Sequence, residues 1–303
     1  MRNKNINIIL IFILIGLVFR QDFAYALRPP LQTNRLSKEV KDFLTEEEEN
    51  KISPIIERIF ADIDSARNLP YVVGVSGRAG AGKTEFLSPL IKIALKKKGR
   101  KVLVIGLDEF FKSPGERQSL GEWSEQHVRL QDAADFMAKV KRGEKSISRL
   151  KYARTPAGNM VVPDTVNLEG IDVVIFEGLY TINNEERLGN LLRFIDLSIY
   201  MEAREEDLKQ WRFEQEARKS QPRSIEEMEK HWREGIMPDS EKNIISSRAN
   251  AVFVVHIDKN HNISKIDSFV SKKDLEEVKL LPVPNNPPAD GLLSGLRTLL
   301  TGI

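Results

Sequence analysis

Gly77-Arg78-Ala79-Gly80-Ala81-Gly82-Lys83-Thr84 satisfies the pattern G-x-x-x-x-G-K-[ST]. Its glycines let the main chain curl with no Cβ in the way, so successive N–H groups can converge on an anion. A helix opening at the lysine would add the positive end of its dipole. Lys83 contributes a mobile point charge suited to β- and γ-phosphates, and the Thr84 hydroxyl suits Mg²⁺. The stretch Gly77, Arg78, Ala79, Gly80, Ala81, Gly82, Lys83 and Thr84 therefore reads as a cradle for a nucleoside triphosphate. Two acids join it. Asp108 closes the apolar run Val102-Leu103-Val104-Ile105-Gly106-Leu107, and Glu177 closes Val173-Val174-Ile175-Phe176. Beside a triphosphate, one carboxylate suits Mg²⁺, and a second suits accepting the proton of an attacking hydroxyl.

For these groups to meet, the carboxyl ends of neighbouring strands must share one edge, because open α/β sheets bind ligands there. The sequence supplies the strands. Residues 71–75 form a short buried run leading into the cradle, and 101–107, 171–176, 194–200 and 251–257 are four more. A helix is expected from about residue 83 to 98, with Lys96, Lys97 and Lys98 in its last turn and Gly99 at its cap. Helical patterns recur at 203–219 and 224–233, the second opening on the capping box Ser224-Ile225-Glu226-Glu227. Upstream, 37–68 reads as helical. Ile52, Ile55, Ile56, Ile59, Phe60 and Ile63 recur at helical spacing, Pro54 fits a first turn after Ser53, and the acids at 46–49 read as a solvated face or turn. Residues 112–168 are polar, carry few strand signals and look like an insertion beside the sheet.

The expected fold is α/β: a P-loop NTPase with a parallel sheet flanked by helices, a lid or insertion, and an N-terminal helical extension. The expected units are a signal-like or anchor segment (1–26), a helical extension (27–69), the nucleotide-binding domain (70–258) and a C-terminal tail (259–303). That tail contains Pro282-Val283-Pro284 and Pro287-Pro288, a linker-like composition, with room for a short apolar helix after Asp290.

At the strand ends the sequence resembles the uridine kinase and phosphoribulokinase family of P-loop kinases, which includes pantothenate-kinase-like members. Gly74-Val75-Ser76-Gly77 leads into the loop. Leu107-Asp108-Glu109-Phe110-Phe111 is similar to the family's D-x-F-Y, and Val174-Ile175-Phe176-Glu177-Gly178 to its hydrophobic-E-G. Trp232 to Pro238, ahead of Ser247-Arg248-Ala249-Asn250-Ala251, matches weakly. The resemblance covers roughly residues 70–257. It implies ATP with Mg²⁺ as donor and a small hydroxylated metabolite as acceptor. It makes Asp108 the group that activates the acceptor, with Thr84 and Glu177 at the metal. It also implies a lid arginine pair, for which Arg212 and Arg218 are the candidates. Phe213 and Lys219 depart from the lid pattern, and Phe111 lacks the hydroxyl of the family's tyrosine. Tyr152, Arg154 and Thr155 fall where the family keeps acceptor-binding groups. The forked guanidinium of Arg154 could clamp a carboxylate or phosphate, or could simply lie on the surface. Asp132-Ala133-Ala134-Asp135-Phe136 is loosely similar to an acceptor-side run.

Composition limits the alternatives. The formal net charge is +2, so no global field favours a nucleic acid, and any anion site must be local. Without cysteine there is no disulfide, thiolate or Cys-ligated metal chemistry. His127, His231, His256 and His261 show no metal-ligand spacing and read as surface or packing residues. Arg2 and Lys4, an apolar run at 8–19 and Ala24-Tyr25-Ala26 match a signal peptide or anchor, giving an expectation of membrane contact through residues 6–19. Kinase chemistry points instead to the cytoplasm, and a start codon placed too early would reconcile the two. The rival function is an ATP-binding regulator or scaffold without an acceptor. A GTPase ranks lower because no clear N-K-x-D motif is present. Oligomeric state is unreadable from the sequence.

Overall fold

The computed structural model describes residues 44–65, 70–155, 158–219 and 221–269. The signal-like segment, the 27–36 linker, the proline-rich tail and its expected closing helix lie outside the described residues. Among the described residues eight strands form: β1 Tyr71–Gly77, β2 Val102–Gly106, β3 Ser146–Thr155, β4 Gly158–Asn167, β5 Val173–Glu177, β6 Leu197–Glu202, β7 Phe253–Ile257 and β8 Ile263–Ser268. Six build one sheet in the order β2-β5-β1-β6-β7-β8, while β3 and β4 pair separately. The first five strands of that order run parallel, and β8 returns antiparallel to β7. The parallel strands read as near-continuous apolar runs because helices cover both faces.

The alternation along each strand divides the core. Val73, Val75, Val173 and Ile175 face one apolar layer, whereas Val72, Val174 and Phe176 face the other. Helix α1 (Glu46–Ser65) and α2 (Ser88–Lys97) close the first layer. Beyond α3 (Pro114–Gln118), α4 (Leu130–Lys141) and the β3–β4 hairpin close the second. Helices α5 (Glu205–Ala217) and α6 (Ile225–His231) follow β6, and further short helical turns run from Trp232 to Asn250.

Three sequence expectations change here. The first concerns α1. It begins eight residues before Pro54, which lies inside the helix. The Glu48 backbone N–H donates to Thr45 Oγ1 at 3.2 Å and the Thr45 N–H donates to Glu48 Oε2 at 3.0 Å, a reciprocal cap. Glu46, Glu47, Glu48 and Glu49 form the first turn, where carboxylates favour the positive end of the helix dipole. Ile52, Ile55, Ile56 and Ile59 are buried against the sheet, and the Tyr71 hydroxyl at the start of β1 donates to Asp62 Oδ2 at 2.5 Å. The helix thus packs its isoleucines into the same apolar layer as β1 and β5.

The second concerns the insertion, which contains a hairpin of two ten-residue strands. The β3 sequence Ser-Ile-Ser-Arg-Leu-Lys-Tyr-Ala-Arg-Thr lacks an apolar run because both arms are largely solvated. The third is that the sheet continues past residue 258, since β8 pairs with β7 from Ile263 to Ser268. Among the described residues no helix is long and apolar enough to cross a membrane.

Candidate active site

Strand order sets the site. Strand β5 lies between β1 and β2, so Glu177 at its end sits between the glycine loop after β1 and Asp108 after β2. In register, Glu177 pairs with Val75 on one side and Gly106 on the other.

The loop is tightly packed. Gly77 has φ 145° and Gly80 φ 87°. A Cβ on Gly77 would lie 2.5 Å from the Met201 carbonyl oxygen, and one on Gly80 would lie 3.0 Å from that of Leu208 in α5. Only glycine fits such approaches. Gly82, also left-handed, precedes a wide turn at Lys83–Leu87 that runs on into α2. Ala81 is buried beneath the loop, and Ala79 packs on the same core. The Arg78 side chain turns away from the loop: Nε donates to Ser240 Oγ at 2.9 Å, and Nη2 lies 3.2 Å from Glu205 Oε2.

Lys83 is buried, its Nζ donating to the carbonyl oxygens of Gly77 at 2.7 Å and Arg78 at 2.9 Å. Burial lowers its pKa to about 8, against the raising effect of the Glu177 and Asp108 charges. The Thr84 hydroxyl donates to Glu177 Oε1 at 2.8 Å. Glu177 is itself buried, and desolvation raises its pKa against the opposing pull of Lys83 and the Thr84 hydrogen bond. Two hard oxygen donors held side by side match what Mg²⁺ takes from protein when phosphates supply further ligands.

Asp108 lies in a tight turn, Leu107–Phe110, after β2 and is largely exposed. Arg154 on β3 reaches it, Nη2 to Oδ2 at 3.3 Å, with both side chains more than half exposed. An ion pair so hydrated is readily exchanged for another partner. Arg212 projects from α5 beside the loop, its Cβ 3.7 Å from the Cβ position of Gly80. It is mostly buried, which lowers its pKa, and Nη1 donates to Gln215 Oε1 at 2.5 Å while Nε has no hydrogen-bond partner. Arg218 instead caps the end of α5, 3.9 Å from Glu214 Oε2 and half exposed. The expected arginine pair is therefore not gathered as a pair: Arg212 adjoins the loop and Arg218 lies further along the helix. Tyr152 also differs from expectation. Its ring is buried and its hydroxyl accepts from Arg117 Nη2 at 2.7 Å, making it a wall residue whose polar tip is already engaged.

Sequence reasoning missed the clasp on the residue after Asp108. Arg149 is buried over the rings of Phe110 and Phe136, donates to Asp164 Oδ2 at 3.0 Å and pairs with Glu109. Lys151, two residues on and on the same face, lies 3.6 Å from Glu109. The signal was the two-residue spacing of Arg149 and Lys151, which only a strand turns into a shared face. The histidines behave as expected. His127 stacks on Trp123 and His261 lies against Trp211, while His231 and His256 face carboxylates.

Comparison with known proteins agrees with this architecture. A pantothenate kinase of Serratia proteamaculans is 26% identical over 231 residues, covering 66% of this chain and 72% of that protein. One from Corynebacterium glutamicum is 23% identical over 235 residues, covering 68% and 71%. The solved structure of a D-glycerate 3-kinase from Cryptococcus neoformans superposes with a TM-score of 0.55 at 18% identity, covering 75% of this chain and all of that one, and so shares the fold. Residues 72–264 match the Phosphoribulokinase / Uridine kinase family, and with a glycine loop, two strand-end acids and kinase relatives in agreement, the chain belongs to that family of P-loop phosphotransferases acting on small hydroxylated molecules.

Proposed function

We propose that this protein transfers the γ-phosphate of ATP to a hydroxyl of a small hydroxy acid. The observation that carries the reading is the adjacency of the ends of β1, β5 and β2, with Glu177 between the loop and Asp108. In the proposed reaction the loop amides and Lys83 hold the β- and γ-phosphates. Thr84 and Glu177 hold Mg²⁺, which when bound offsets the charge on the phosphates. Asp108 orients the acceptor hydroxyl and takes its proton as that oxygen bonds to the γ-phosphorus. The bond to the β–γ bridging oxygen breaks and ADP leaves. Arg212, beside Gly80, turns its charge onto the transferred group. Positioning and charge stabilisation supply most of the rate in such a transfer.

An acid is favoured over an uncharged acceptor because Arg154 stands next to Asp108 with an exposed, easily exchanged ion pair. A guanidinium there can take a carboxylate bidentately and bring a neighbouring hydroxyl to the base. Two of the similar proteins are a pantothenate kinase and a D-glycerate 3-kinase, and pantothenate and D-glycerate are both hydroxy acids. The test is ADP release from Mg·ATP with and without a panel of hydroxy acids, sugars and nucleosides. At least one hydroxy acid should raise the rate tenfold or more over the acceptor-free rate. Binding of ATP with no stimulation by any acceptor would instead favour the non-catalytic regulator.

A further inference from the structure

The carboxylate of Asp239 is buried and has three donors from three separate parts of the chain. Oδ2 accepts from the Tyr180 hydroxyl at 2.7 Å and from Trp123 Nε1 at 3.0 Å, and Oδ1 accepts from Asn243 Nδ2 at 2.6 Å. Each donor leads somewhere. Tyr180 is fully buried three residues beyond Glu177. Asn243 is held in turn, with Asn183 Nδ2 donating to its carbonyl oxygen at 2.8 Å and Arg187 Nη2 to its side-chain oxygen at 2.7 Å. Trp123 packs edge-on to Phe111 with ring centroids 5.4 Å apart, and Phe111 packs edge-on to Tyr152 at 5.5 Å. Phe111 is three residues from Asp108, and Tyr152 two from Arg154. The next residue along, Ser240, is also fully buried, and its hydroxyl accepts from Arg78 of the glycine loop. Gly235 fixes the fit from the other side, since a Cβ there would lie 3.0 Å from the backbone nitrogen and the Cβ of Trp123.

Two consecutive buried residues thus point to opposite halves of the cleft. We propose that the turn at 237–243 couples the glycine loop to the aromatic wall on the acceptor side, with Ser240 and Asp239 as its two positioning residues. The inference rests on the kinase reading above. A shift of the Arg78 guanidinium on nucleotide binding moves Ser240, and the rigid peptide unit between the two residues carries it to Asp239. Asp239 passes it to Trp123 through a charge-assisted hydrogen bond, which is strong and directional. A packed aromatic row transmits such a shift because its rings have no slack. Transmission between the two halves is what a test of the coupling reads.

The experiment is hydrogen–deuterium exchange on the full chain with and without Mg·AMPPNP. In the wild type the nucleotide should slow exchange at 74–84, and also at 120–128 by threefold or more. Ser240→Ala, which removes one hydroxyl, should bind the nucleotide within threefold of wild type and keep the protection at 74–84, yet lose it at 120–128. Asp239→Asn should lose the same distant protection from the other end of the turn. Persistence at 120–128 in both variants, or nucleotide binding by the wild type with no change there, overturns the coupling while leaving the kinase reading intact. A wild type that does not bind Mg·AMPPNP at all removes both.

Discussion

The two sides of the cleft are built by different means. On the proposed donor side, the loop is shaped by backbone approaches of 2.5 and 3.0 Å, and Lys83 and Glu177 are buried against it. On the proposed acceptor side, Asp108 and Arg154 are largely exposed, and the second of them rides on a solvated hairpin. The donor geometry is therefore over-determined by packing, whereas the acceptor geometry depends on a few exposed side chains. A triphosphate is the same for every kinase that uses it, and its site can be rigid. An acceptor differs from enzyme to enzyme, and its site can change through a hairpin without disturbing the sheet.

Four measurements sharpen or break this contrast. The largest effect is expected from Asp108→Asn. It should leave the Mg·ATP dissociation constant nearly unchanged and lower kcat by roughly 10²–10⁴, the usual reach of a general base. Normal turnover would remove Asp108 from the chemistry. Arg154→Ala should come next, raising KM for an acidic acceptor about ten- to a hundredfold, as expected for a lost charge-assisted hydrogen bond, with KM for ATP unmoved. An equal loss for both substrates would dissolve the division between the two sides.

The third concerns pH. Burial holds the pKa of Lys83 at about 8, so Lys83 is protonated below that value and loses its charge as pH rises through it. Mg·ATP affinity should fall by up to about tenfold between pH 7 and 9. Lys83→Arg, if it binds nucleotide, should flatten that profile because a guanidinium stays charged throughout. The smallest effect is on stability. Thr45→Ala removes the cap of α1 and should lower the unfolding free energy by ~1 kcal/mol in chemical denaturation. Thr45 is exposed and its hydroxyl bonds to Glu48 within the first turn of α1, so the catalytic parameters should not change.

How much of this could be read from the sequence follows the same division. The loop, Glu177 and Asp108 were legible because each follows an apolar run, and buried parallel strands advertise themselves in composition. The capping box at Ser224 was legible for a local reason: its Glu227 N–H donates to Ser224 Oγ at 3.1 Å. The hairpin was not, because β3 mixes charged and apolar residues, β4 opens on glycine and asparagine and carries a proline, and neither arm is much buried. Tyr152 was located but its partner was not, since Arg117 lies thirty-five residues away on another element. Asp239 gave no local signal at all. Its importance lies in Tyr180, Trp123 and Asn243, two of which are brought to it only by the tertiary fold. Pro54 suits a first turn by type, yet it lies inside α1, whose beginning is marked by the reciprocal hydrogen bonds of Thr45 and Glu48.

The approach of Gly80 to the Leu208 carbonyl has a mechanical consequence. A helix whose main chain already rests on the glycine loop cannot swing down onto it as a rigid flap. Any enclosure of the reacting phosphate must come from rotamer changes at positions such as Arg212, or from rearrangement beyond residue 217 where α5 ends. A stroke made by Arg212 would then have no more than the length of one side chain, with the supporting cylinder standing still.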